Sequence, residues 1–234
     1  MDAVRVGNLG RSGLWLVLAM PFFIPSVAIA AGGGSMDAGS MPSPRMSPAD
    51  MAKDKYNDGV SALKAAKKYE DAAGEAKPEK KEKLQQKTRK QYEKARAMFA
   101  DAVRGEPNMF EAWNYVGFTS RKLGEYDKAL MAYDEALRLN PAYAEAIEYR
   151  GHAYLGLNRL EDAKAAYMSL FRDARPLADQ LMGAMKLWVA DRRSNAAGVA
   201  ATDVESFASW VEERGVIASQ TASLGISVAP ARWE

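Results

Sequence analysis

Residues 110–141 read FEAWNYVGFTSRKLGEYDKALMAYDEALRLNP, and this stretch decides the fold. Trp113, Val116, Gly117 and Ser120 recur at three- and four-residue steps, which places them on one face of a helix. Leu123-Gly124 ends that helix, because glycine accepts the left-handed backbone of a helix stop. Tyr126, Ala129, Leu130, Tyr133, Ala136 and Leu137 share a face of a second helix, which Asn140-Pro141 closes since proline cannot donate into a continuing helix. The stretch is thus predicted to be two short amphipathic helices with a tight turn between them.

Moving the frame by 34 residues turns Trp113 into Ile147, Gly117 into Gly151, Tyr126 into Leu160, Ala129 into Ala163 and Tyr133 into Tyr167. Small residues stay small and large apolar ones stay large, while Ser120 gives way to Tyr154. Self-similarity at a fixed period marks a stacked repeat. The residue types resemble the tetratricopeptide repeat (TPR), with its W-x-x-L-G-x-x-Y, A-x-x-x-F and P landmarks. Trp113-x-x-Val116-Gly117, Ala129-x-x-x-Tyr133 and Pro141 carry the resemblance. Ser120 stands where an aromatic belongs, and the second copy ends one residue late at Pro176. The resemblance is specific over 110–176, weaker over 51–107 and absent elsewhere. It implies an all-α, right-handed TPR solenoid of helix hairpins.

Composition narrows the chemistry. A net charge of +2 with 26% charged residues gives no instruction toward nucleic acid or membrane. The absence of cysteine excludes disulfides, thiol nucleophiles and cysteine-based metal sites. A single histidine, His152, rules out any two-histidine metal site. The sequence contains no glycine-rich phosphate loop, G-x-S-x-G elbow or H-E-x-x-H. The expectation is therefore a protein that is not an enzyme, with no catalytic residues, no resident metal and no cofactor.

Residues 1–30 read as a signal peptide: Arg5 and Arg11 precede an apolar run from Leu14 to Ala30, and Ala28-Ile29-Ala30 has the small-x-small pattern of a cleavage site. The rival is an uncleaved N-terminal anchor in the inner membrane, but Pro21 and Pro25 interrupt the run. The expected location is periplasmic or secreted, as in exported bacterial-type proteins, with no integral membrane segment after cleavage. Cleavage after Ala30 is checked by the intact mass of the mature chain; a mass that retains Met1 refutes it and leaves the anchor.

Residues 31–50 are a Gly/Ser/Pro-rich linker, unable to bury enough apolar area to offset chain entropy. Met36, Met41 and Met46 recur in it and Met51 just beyond, and thioethers suit Cu(I), so copper handling by this tail is one alternative function. Residues 51–109 read as an elongated repeat. Tyr56, Tyr69 and Ala72 keep the spacing of Trp113, Tyr126 and Ala129, and Ala95, Phe99, Ala102 and Pro107 supply the later landmarks after an insertion. Helices are predicted over about 48–73 and 79–104. The insertion is basic: Lys77 to Arg96 holds nine Lys/Arg and three Glu, a net of 9 − 3 = +6. Contact of this hairpin with an anionic surface during envelope assembly is a second alternative function. Repeats at 110–143 and 144–177 follow. Residues 178–219 read as a degenerate pair of capping helices, with a loop over Asp191–Ala201, and 220–234 as an irregular tail.

The resemblance to TPR proteins implies a concave groove lined by the first helix of each repeat, which takes up an extended peptide or a partner helix. Carried over by position, the groove residues are Glu111, Asn114, Phe118, Arg121 and Lys122, then Glu145, Glu148, His152, Leu155 and Gly156. Asp54, Asn57, Ser61, Lys64 and Ala65 are the corresponding positions of the elongated repeat. Asn114 is suited to bonding both the N–H and C=O of a peptide backbone. Arg121 and Lys122 against Glu145 and Glu148 would make the face positive at the central repeat and negative at the next. Glu145 and Tyr149 stand where carboxylate-clamping relatives carry basic residues, which argues against that ligand. The expected function is a scaffold that binds a protein or peptide partner, with no nucleic acid.

Overall fold

The computed structural model of the protein describes residues 46–196 and 198–223; the apolar N-terminal stretch, most of the linker with Met36 and Met41, and the end of the tail lie outside them. Among the described residues there are eight α-helices and no strand. They are α1 (Pro48–Glu75), α2 (Pro78–Gly105), α3 (Phe110–Lys122), α4 (Tyr126–Leu139), α5 (Ala144–Gly156), α6 (Leu160–Asp173), α7 (Arg175–Ser194) and α8 (Ala201–Ser223). Consecutive helices pair as hairpins, and each hairpin packs on the next, so the protein is an all-α solenoid. No helix among the described residues is long and apolar enough to cross a membrane.

The first hairpin is the long one. Ser47 accepts the Asp50 N–H at 3.1 Å to start α1, and Pro48 and Pro78 occupy first-turn positions where the missing N–H costs nothing. Each helix of this hairpin has 28 residues, about 42 Å at 1.5 Å per residue, against about 20 Å for α3 to α6. No residue of α2 is buried before Tyr92, so the N-terminal half of that helix extends past the stack.

Sequence spacing aligned Tyr56 with Trp113, and the structure moves that register by one. Gly117 lies against the Tyr133 ring, and in the first hairpin Gly59, not Val60, lies against the matching Phe99. Tyr56 is therefore level with Asn114. Asp54, Asn57, Ser61 and Lys64, carried over on the unshifted register, are exposed on α1.

Two turns repeat one repeat length apart. Gly124 has φ 82° and Asn158 has φ 58°, and Glu125 and Arg159 donate back to the carbonyls of Ser120 and Tyr154 at 2.9 Å each. This pattern closes a helix while satisfying its orphan carbonyls, and asparagine is the residue besides glycine that takes the left-handed position most readily.

Ala129, Ala163, Tyr133 and Tyr167 fill the contacts between helices, as the repeat pattern requires, and all are buried. Trp113 and Tyr154 sit at the edge of the core instead. Trp113 donates its indole N–H to the Pro107 carbonyl at 2.9 Å, and Tyr154 lies between the Arg150 and Arg159 guanidinium groups. At the C-terminal end the connection between the capping helices is shorter than the expected loop, covering 195–200, and α8 continues through residues 220–223, which had read as irregular. The Trp188 indole N–H donates to the Leu155 carbonyl at 2.9 Å, tying α7 to α5.

Candidate functional site: the face shared by α1, α3 and α5

Helices α3 and α5 lie side by side in the same direction. Near their starts Phe110 meets Tyr143 edge-on at 4.9 Å, and further along Phe118 meets Tyr149, at the middle of α5, at 5.1 Å between ring centroids. On the other flank of α3, Tyr115 meets Tyr56 of α1 at 5.8 Å and stacks on Phe99 at 4.9 Å. The result is a half-buried band of aromatic rings crossing three helices.

The groove residues expected from the sequence divide into three groups. Asn114 and Glu148 were expected on an open face, but they are 1% and 0% exposed. The residue that leads into α5 covers Asn114 of α3: the Asn114 Nδ2 donates to the Tyr143 hydroxyl at 3.4 Å. The Asn114 Oδ1 has no hydrogen-bond partner. Glu148 Oε1 lies 2.6 Å from His152 Nε2, and its Oε2 has none. His152 itself is partly exposed.

Phe118, Arg121 and Lys122 form the second group, at the C-terminal end of α3. Phe118 is half-buried among Tyr92, Tyr115 and Tyr149. The Arg121 guanidinium sits 5.3 Å from the Phe118 centroid and 5.7 Å from that of Tyr149. Its Nε is buried without a partner, and it joins no ion pair among the described residues. Burial pushes the Tyr133 hydroxyl beneath it up to about 12, against the pull of the Arg121 charge. Lys122 is not the free surface cation expected. Its Nζ is 2.6 Å from Glu70 of the long hairpin, whose other oxygen accepts the Tyr92 hydroxyl at 2.8 Å. Burial acts to raise the Glu70 carboxyl, but Lys122 and Tyr92 together outweigh it and hold it below the ordinary carboxylate range.

Glu111 and Glu145 form the third group, in the first turns of α3 and α5. Because the two helices are parallel, these carboxylates share one edge, and Arg121 lies at the opposite edge. The charge of the face is therefore polarised along the helix axes, not along the stack as the sequence positions implied. The remaining expected positions, Leu155 and Gly156, are taken up by packing: Leu155 is buried in the core, and Gly156 lies against the Tyr126 ring.

Sequence reasoning missed the tyrosines of this face. Tyr115 and Tyr149 are one repeat length apart, and Tyr56 and Tyr143 complete the band. A separate cleft of 360 Å³ lies where the long hairpin passes the end of α3, lined by Glu70, Lys81, Arg89, Tyr92 and Lys122 among others.

Residues 119–158 match the family model described as TPR repeat. A solved structure described as the first TPR of Spaghetti (RPAP3) bound to HSP90 peptide SRMEEVD is similar at 17% identity and a TM-score of 0.40, covering 56% of this chain and 94% of that one. No curated protein matches at a significant level.

Proposed function

We propose that the protein is a non-catalytic docking module that holds an extended segment of a partner protein against the α1–α3–α5 face. The TPR repeat match over 119–158 supports a protein-interaction role. The observation that carries the reading is the half-buried band of aromatic rings, Tyr56, Tyr115, Phe118 and Tyr149, laid across three neighbouring helices. Phe118 offers apolar area within it, and Arg121 offers a cation that joins no ion pair among the described residues and is already held by two rings. In this reading the chain works outside the cytoplasm, as the sequence of residues 1–30 suggests.

The test is to recover partners with the mature chain and to measure their binding to Phe118→Ala and Arg121→Ala variants. Each good contact is worth about 1–2 kcal/mol, so the double variant is expected to bind about 10- to 100-fold more weakly. Met131→Ala, on a 73% exposed residue of α4, serves as the control and is expected to leave affinity unchanged. Undiminished binding by the double variant places the partner elsewhere. Asn114 is unsuited to this test, because its burial would make any substitution a stability change as well.

A further inference from the structure

The edge of the face at the starts of α3 and α5 has a chemistry of its own. It brings together the phenols of Tyr56, Tyr115 and Tyr143 with the carboxylates of Glu111 and Glu145. Neither carboxylate pairs with a cation among the described residues. Burial first, and then the negative charges of Glu145 and Glu111, push the Tyr143 hydroxyl well above its ordinary range. The Tyr56 hydroxyl is raised in the same way by burial, by Tyr115 and by Glu111. This edge is thus an electronegative, oxygen-rich spot drawn from three helices.

Glutamates in a first turn are favoured by the helix dipole, at about 0.3–1 kcal/mol each, and that accounts for Glu111 and Glu145 as residue types. It does not account for the buried Asn114 amide, whose Nδ2 donates to the Tyr143 hydroxyl at this edge at 3.4 Å while its Oδ1 stays unpaired. Nor does it account for Tyr56, which belongs to another helix.

We propose that this edge is the seat for one basic side chain of the docked partner segment, arginine in preference to lysine. The proposal rests on the docking reading and specifies its occupant. A guanidinium brings five N–H donors in a planar fork and stacks on aromatic faces, whereas an ammonium is a compact, strongly hydrated point charge. Oxygen acceptors on three helices, with the Phe110 and Tyr143 rings alongside, match the fork. Arg121 at the far edge repels a cation there, which fixes the orientation of the segment. Ten residues of helix separate Glu111 from Arg121, about 15 Å. An extended chain spans that in about four to five residues at about 3.3 Å each. The preferred segment therefore carries an arginine and an acidic residue four or five positions apart.

The probe is a set of blocked decapeptides of Ser, Gly and Ala, with one Glu and, four residues away in either chain order, Arg, citrulline or a second Glu. Citrulline keeps the shape of arginine and removes its charge. The Arg peptide is expected to bind about tenfold tighter than the citrulline peptide, and the second-Glu peptide weakest of all. In a Glu111→Gln, Glu145→Gln variant the Arg-over-citrulline ratio is expected to fall to about one, with citrulline affinity retained. Equal affinities in the wild type, a ratio that survives the double variant, or no binding by any peptide each overturn the seat. Docking is judged separately: binding that still depends on Phe118 while ignoring arginine leaves the module intact, and binding insensitive to Phe118 overturns both.

Discussion

Replacing Tyr133 by alanine is expected to lower the stability of the stack by about 3–5 kcal/mol, the range for removing a fully buried aromatic. The ring is 0% exposed and lies in the contact between α3 and α4, against Gly117. Tyr133→Phe is the informative companion. The hydroxyl has no hydrogen-bond partner, so removing it is expected to cost under about 1 kcal/mol. The same contact is testable from the other side. A Cβ built on Gly117 falls 2.6 Å from the Tyr133 ring, so Gly117→Ala forces the ring or the helix to shift. The expected overpacking cost of about 1–3 kcal/mol exceeds the gain of up to about 1 kcal/mol that alanine brings to a helix interior. Urea titrations of the three variants decide it. A stabilised Gly117→Ala, or Tyr133→Ala within 1 kcal/mol of the parent, would refute the packing described.

Trp188→Ala carries the second large effect, again about 3–5 kcal/mol. The indole is buried, packs edge-on to Phe207 at 5.2 Å and donates to the Leu155 carbonyl at 2.9 Å. That bond runs from the capping hairpin to α5, two helices back, so its loss weakens the hold of α7 and α8 on the repeats, leaving the Leu181 contact with Gly151 in place. Trp188→Phe keeps an aromatic ring but not the donor, and is expected to cost less than the alanine change. Hydrogen exchange locates the effect, since each unit of a solenoid contacts only its neighbours. Protection is expected to fall in α7, α8 and the end of α5, and to hold in α1 and α2. Equal loss along the whole chain would mean that the stack unfolds as one unit.

The repeats were legible because their residues obey one period. Gly117, Ala129 and Tyr133 recur as Gly151, Ala163 and Tyr167, and volume alternation at helical spacing is a property of sequence alone. The first helix was harder. An insertion shared between α1 and α2 leaves local spacings intact while sliding one helix against the other, and the position of Gly59 under Phe99 is a tertiary fact. The face was legible by position but not by environment. Polar residue types read as exposed, yet Asn114 is covered by Tyr143 at the start of the next first helix, and Glu148 is buried with its Oε1 against His152 one turn along its own helix. Likewise Lys122 reads as a free cation until the long hairpin brings Glu70 against it.

That hairpin also changes what the small net charge means. The molecule carries +2 overall, but the stretch from Lys77 to Arg96 alone carries 9 − 3 = +6, so the remainder is negative on balance. The part of α2 before Tyr92 is 14 residues, about 21 Å, which is more than two screening lengths of about 8 Å at physiological ionic strength. Alongside it the end of α1 adds Lys67 and Lys68 against Glu70, Asp71 and Glu75, a net of 2 − 3 = −1, so the far end of the hairpin keeps a positive excess. The protein is therefore an electric dipole mounted on a stiff lever, and any external field exerts a torque on it. The field of a polyanion turns the tip toward it, and because the lever is stiff that also fixes the direction in which the α1–α3–α5 face points.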